Sequence, residues 1–271
     1  MRPYLAILSA RYRMLLQYRA AALAGIATQF FWGFIRIMIL WAFYAASDVA
    51  PPMEFAAVVT YVWLGQALLG LLPWNLEPEI DDMVRSGRVS FELVRPVDLY
   101  ALWYMRTLAM RVASTSLRVL PIVVLAGGVL PFTPLAAWAL SAPASVAAAA
   151  LWVLATAVAI GLGCALTNLV HVSLLWTISG EGLQRVMPSL VAVFSGMIVP
   201  LPLFPDSLQP LLAALPFRGL VDVPLRIYAG HLAGPEAWTA IAISALWTLG
   251  LIVAGRALLA RGFRRLVIQG G

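Results

Sequence analysis

There is no lysine in this chain; all 18 of its basic residues are arginine. That excludes a P-loop, whose lysine reaches the β- and γ-phosphates of a nucleotide, and it excludes Schiff-base chemistry. If ATP drives the protein, the ATPase is another chain, and no cofactor is expected on this one. Cysteine is almost as scarce. Cys164 stands alone, so no intramolecular disulfide and no thiolate metal cluster can form. Its side chain reads as a small buried apolar group. Histidine occurs twice, as His171 and His231, and charged residues make up only 11% of the 271 positions. None of the acids falls inside an apolar run, which argues against a proton-coupled mechanism.

What fills the chain is hydrocarbon. Hydrophobic residues make up 62% of it and the mean hydropathy is +0.91, where soluble domains run nearer half apolar. A bilayer core of about 30 Å needs roughly 20 apolar residues per helical span. The fold class is therefore an all-α membrane protein, a single transmembrane domain over 1–271. Six spans are expected, at about 20–46, 55–73, 107–130, 144–168, 186–203 and 237–259. Residues 1–19 carry four arginines and show no cleavable signal.

Orientation follows the arginines. They crowd 1–19, the 74–106 loop, Arg185 and the C-terminal end, where Arg256, Arg261, Arg264 and Arg265 lie. The alternate connections hold few. Both termini and the charged loop are accordingly expected in the cytoplasm. Over 2–19, Leu5, Leu8, Tyr12, Leu15 and Leu16 share one helical arc, opposite Arg2, Ser9, Arg13 and Gln17. That pattern suits an amphipathic helix in the membrane interface, beside lipid headgroups.

The stretch 77–106, EPEIDDMVRSGRVSFELVRPVDLYALWYMR, holds six of the twelve acids and four arginines. Pro78 suits a first helical position, and Glu79, Asp81 and Asp82 suit the positive end of a helix dipole. Arg85 suits the other end, Gly87 a left-handed terminator, and Asp81 with Arg85 an i,i+4 ion pair. Ile80, Met83 and Val84 form an apolar stripe. A two-turn helix is marginal alone in water, so it packs either on its own helix ends or on a cytosolic partner.

This loop, with IDDMVRSGRVSFELVRPVDLY, resembles the membrane-spanning subunits of ATP-binding-cassette exporters, and within them the six-span type-2 permease class. The block from 171 to 230 resembles a small-permease branch of the same class. The resemblance implies that Ile80, Asp81, Asp82, Met83, Val84, Arg85 and Arg88 form a coupling helix resting in a groove of an ATPase subunit. It also implies that Tyr12, Arg13 and Leu16 lie beside that ATPase. The partners implied are two ATPase subunits, carrying ATP and Mg, and a second permease subunit, identical or related; nucleic acid is not among them. The cell location implied is a bacterial-type inner membrane.

From the end of the fifth span onward, Pro200, Pro202, Pro205, Pro210, Pro216 and Pro224 forbid one straight helix. LQPLLAALPFRGLV is nonetheless too apolar for a solvated loop, so 204–236 reads as short re-entrant helices dipping from the outer face. The resemblance implies that such helices cap the exit of the path, which makes the first five of these prolines candidate external-gate residues.

Arg36 falls inside the first span and Arg118 inside the third. Arginine at mid-membrane faces a bundle interior or a wet cavity, or snorkels to an interface. Both are candidate path-facing residues, Arg118 lying toward the external end. His171 and Asn168 read as a hydrogen-bonded interfacial pair. Trp41, Tyr44, Trp63, Trp74, Trp103, Tyr104 and Trp238 fit aromatic belts. The functional reading is an exporter permease with amphipathic, drug-like or lipid cargo. Its rivals are an ion-coupled secondary transporter, a membrane-embedded lipid-processing enzyme and a scaffold.

Overall fold

The computed structural model describes residues 2–17, 19–48, 51–74, 77–176 and 181–263, and among these the chain is helical with no β-strand. In order the helices are α1 (Arg2–Leu15), α2 (Arg19–Ala46), α3 (Phe55–Ala67), α4 (Pro78–Arg85) and α5 (Val89–Leu93). There follow α6 (Leu99–Val123), α7 (Val146–Ser173), α8 (Glu181–Phe194), α9 (Gln209–Ala214), α10 (Asp222–Tyr228) and α11 (Gly234–Phe263). The tail arginines Arg264 and Arg265 lie outside the described residues.

Four stretches are long and apolar enough to cross a membrane: Gly25–Ala46 in α2, Leu99–Phe132, α7 and α11. The second of these, the third expected span, starts well before 107 because Asp98 caps it, its Oδ1 accepting the Ala101 N–H at 2.7 Å. It then runs past Val123 through a π turn, Val124–Val129.

The two remaining expected spans are shorter. α3 has 13 residues and α8 has 14, about 20 Å each at 1.5 Å per residue. Every residue of α3 from Val58 to Ala67 is buried, so this helix is enclosed by protein and needs no lipid-facing length. α8 begins at Glu181 rather than 186 and stops at Phe194, ahead of the prolines. Gly196 takes φ +86°, and the Ile198 N–H turns back to the Ala192 carbonyl at 3.2 Å, the left-handed helix ending that glycine permits.

Trp63 centres the core. Its ring lies among Phe30, Phe34 and Trp138, and its indole N–H donates to the Trp138 carbonyl at 2.7 Å. A Cβ on Gly33 would sit 2.5 Å from that ring, so only glycine lets α2 close on α3 here. Trp63 and Trp103 are fully buried, which corrects the aromatic-belt expectation for both: each has an internal acceptor for its N–H. Trp41 and Trp238 do face outward. Tyr44, Trp74 and Tyr104 are half-buried and donate to the carbonyls of Met53, Leu69 and Gly161. The most extensive helix packing joins α7 to α11, with α1 and α7 both against α6 and α10 tucked onto α7.

Candidate functional site

One end of the bundle carries a polar layer built on α4. Pro78 opens that helix, Glu79 and Asp81 occupy its first turn, Arg85 its last, and Gly87 ends it at φ +74°. The apolar stripe faces the protein. Ile80 is completely buried among Val89, Trp103, Val172 and Leu259, and Met83 and Val84 lean half-buried on the same cluster. As a docking residue Ile80 is therefore a correction: its side chain anchors the helix and offers no surface. Asp82, Arg85 and Arg88 are exposed and Asp81 is half-buried. Arg85 Nε meets Asp81 Oδ1 at 3.0 Å, and Arg88 pairs with Asp82.

Longer-range pairs strap this layer to the bundle. Arg11 of α1 meets Glu77 at 2.6 Å and also Glu79. Burial pushes the Glu77 carboxyl above the usual carboxylate range, and Arg11 pulls it back. The Glu77 N–H donates to His171 Nε2 at 3.2 Å. Glu92, also buried, receives Arg106 at 2.9 Å and the Trp103 indole N–H at 3.2 Å. Asp98 takes Arg256 at 3.2 Å, and its own N–H donates to the Tyr4 hydroxyl at 2.9 Å. Tyr12 reaches Ser116 at 3.3 Å; it and Leu16 are half-buried, whereas Arg13 is exposed. His171 and Asn168 are buried and do not bond each other, since the Asn168 amide donates to the Tyr100 carbonyl at 3.3 Å. Beside α4, the short α5 turns Phe91 and Val94 outward, 69% and 83% exposed.

Three arginines of the membrane-crossing helices, Arg36, Arg111 and Arg118, lie away from the acids of the polar layer. Arg36 donates through Nη2 to the carbonyls of Met197 and Ile198, the latter at 2.8 Å, in the turn that ends α8. Arg111 is 1% exposed and donates to the carbonyls of Leu71 (2.8 Å) and Leu72 and to the Thr167 hydroxyl. Arg118 is half-buried in a cavity of about 330 Å³ that Arg111, Ser114 and Trp74 also line. Its Nη2 lies 3.9 Å from where a Gly25 Cβ would be. Arg118 is thus level with the start of the apolar part of α2. Arg36 lines a second, larger cavity of about 720 Å³. Among the described residues, no carboxylate is within ion-pair distance of any of the three.

Between α8 and α11 the backbone is broken into 3-10 turns, α9 and α10. Pro200 and Pro205 immediately precede turns, and Pro202, Pro210 and Pro216 fall in the first two positions of the next ones, where a missing N–H costs nothing. Pro200 and Pro216 are buried, Pro202 is half-buried, and Pro205 and Pro210 are exposed. α10 packs Val223 and Ile227 against Ala155 of α7 and Ile241 of α11. Gly219 lets the chain approach α11, since a Cβ there would be 2.6 Å from Ser244 Oγ. The Asp222 carboxylate, 1% exposed, lies between Arg218 at 3.5 Å and Arg226 at 3.7 Å.

A family model described as ABC-2 family transporter protein matches residues 30–270. The chain belongs to this family. No curated protein and no solved structure matches it. An ABC-2 chain is the transmembrane component of an ABC transporter and associates with an ABC ATPase. α4, the smaller cavity and the broken segment fall inside the ABC-2 match, as does the larger cavity apart from Gly25, Thr28 and Gln29.

Several residues that organise this ABC-2 chain escape a reading along the sequence. Arg111 lies in the third expected span as plainly as Arg118, and its position there was signal enough. Asp222 carried a local signal as well, with an arginine four residues to either side. Glu92 gave none, because its partners Arg106 and Trp103 are more than ten residues away and meet it only in three dimensions. Phe91 and Val94 carry no distinguishing signal along the sequence, and only the fold shows that they face outward.

Proposed function

We propose that this ABC-2 chain is the permease subunit of an ATP-driven exporter in a bacterial-type cytoplasmic membrane, with both termini in the cytoplasm. α3 and α8, with the segments that continue them, complete six spans. Two permease subunits, identical or related, enclose the path, and two ATPase subunits bind and hydrolyse MgATP. The cargo is amphipathic, drug-like or lipid, and the broken segment around Pro200–Pro216 caps its exit. This chain does no chemistry itself.

The observation that carries this reading is the outward face of α4. Asp82, Arg85 and Arg88 are presented on a helix whose other face is locked into the bundle through Ile80. Phe91 and Val94 stand beside them as apolar contact points. A helix so anchored transmits a push instead of yielding to it, because packed interiors transmit strain. ATPase closure at this face would then tilt α6 and α7, to which the layer is strapped.

The test is co-purification with the cognate ATPase after charge reversal, Asp82→Arg together with Arg85→Asp. Both side chains are exposed, so the thermal midpoint is expected to hold while ATPase retention is lost. Retention with coupled ATP hydrolysis intact would defeat the docking assignment.

A further inference from the structure

Among the described residues, Arg118 is a cation with no hydrogen-bond or ion-pair partner, held half-buried inside a membrane-crossing stretch. Behind it in the same cavity, the Nε of Arg111 is buried and unpartnered too. That cavity and the larger one share Leu69 and Trp74 as a common wall. Gly25, against the Arg118 guanidinium, belongs to the lining of the larger cavity. From Gly25 the larger cavity follows a single face of α2, touching Gln29, Trp32, Arg36, Ile39 and Phe43 at steps of three or four residues. Those positions run about 27 Å along the helix at 1.5 Å per residue. The walls are mainly apolar, yet Gln29 is buried there with its Oε1 unpartnered.

A wholly apolar ligand would leave the arginine charge uncompensated in a medium of low dielectric. A small inorganic anion would leave the long apolar face unfilled. A ligand with charge at one end and hydrocarbon behind it satisfies both, and guanidinium matches phosphate and carboxylate oxygens in a two-point fork. We propose that the adjoining cavities bind an amphiphile with an anionic phosphate or carboxylate headgroup at Arg118 and its hydrocarbon along Trp32, Ile39 and Phe43. That this amphiphile is cargo rests on the exporter reading; that it binds does not.

The full chain in non-ionic detergent micelles, with no ATPase and no nucleotide, supplies the test. Trp32 and Trp74 line the cavity, so brominated ligands report binding by quenching tryptophan fluorescence. Brominated phosphatidic acid is expected to quench saturably at a midpoint at least about ten-fold below that of brominated phosphatidylcholine, as one charge-assisted contact allows. Arg118→Gln should raise the phosphatidic acid midpoint by about ten-fold or more, while Arg118→Lys, which keeps the charge, should shift it less. Should Arg118→Gln not fold, Ser114→Asp sets a carboxylate in the same cavity and carries the same expectation. A parallel titration with dibromostearate, a soluble single-chain carboxylate, separates the sources: the tighter of the two ligands marks a membrane lipid or a free amphiphile. Equal midpoints for phosphatidic acid and phosphatidylcholine overturn the proposal, as does an unmoved midpoint in a folded Arg118→Gln protein. Absence of quenching in a preparation that cross-links as a dimer through Trp32→Cys also overturns it, since a second copy then covers the face. Loss of ATPase docking alone would leave all these readouts unchanged.

Discussion

Arg106 and Arg111 lie five residues apart on α6, yet their surroundings differ in kind. Arg106 meets the carboxylate of Glu92 at 2.9 Å, in a layer where Arg11, Arg85, Arg88 and Arg256 each meet an acid as well. Arg111 donates to carbonyls and a hydroxyl, and among the described residues it meets no acid. The same holds one helix away for Arg36, whose acceptors are the carbonyls of Met197 and Ile198. At the polar end charge is cancelled by charge, and the result is a rigid base. In the membrane-crossing region Arg36 and Arg111 are held by dipoles, which leave their positive charge in place. A carboxylate partner there would have neutralised the cavities that these arginines line, and among the described residues none is within ion-pair distance.

The sharpest way to break this contrast is Arg111→Leu. It strips the donors from two buried carbonyls, Leu71 and Leu72, where α3 gives way to the polar loop. At about 1–3 kcal/mol for each unsatisfied buried group, offset in part by removing a buried charge, a loss near ~3 kcal/mol is expected. Thermal denaturation in detergent would register it as a clear fall in midpoint, partly restored by Arg111→Lys. An unchanged midpoint would mean that dipoles do not hold this arginine in place, and the contrast with Arg106 would fail.

Glu92→Gln probes the other region with an intermediate effect. Arg106 would keep a hydrogen-bond acceptor but lose its counter-charge in a nearly buried setting. A cost of about 2 kcal/mol follows from the strength of hydrogen bonds to charged groups. Because Glu92 also accepts from Trp103, the indole emission should shift in the folded variant. A stability loss without that shift would assign the effect to Arg106 alone.

The legibility of the sequence divides along the same line. α4 was readable in detail, from Pro78 to the positive φ of Gly87, because its signals are local: caps, dipole charges and an i,i+4 pair. α2, α7 and α11 were readable from apolar length. α3 was harder, since a short apolar helix enclosed by protein looks like a short span in lipid, and only the burial of Val58–Ala67 separates the two; α8 stops at Phe194, ahead of the prolines. The cavities were legible only as isolated arginines. Arg36 and Arg118 stood out by position, but the wall of Leu69 and Trp74 that their cavities share depends on helices that the linear order keeps apart. Which face of the charged loop points outward was likewise invisible, so Ile80 could be taken for surface when it is core.

The smallest expected change in stability is also the most informative about the polar face. Asp81→Ala removes one member of an i,i+4 pair whose side chains are 28% and 41% exposed. Water screens such a pair, and the cost of fixing two side chains offsets most of its attraction, so about 0.3–0.5 kcal/mol is at stake. Chemical denaturation should barely resolve that difference. Gln184 Nε2 also lies 3.3 Å from Asp81 Oδ1, so a second, weaker link to α8 is lost in the same variant. If α4 serves only as a connector, ATP hydrolysis by the assembled complex should change no more than the stability does. If it transmits force, transport should fall well beyond what so small a destabilisation explains, and the split between those two measurements separates a passive strap from a working lever.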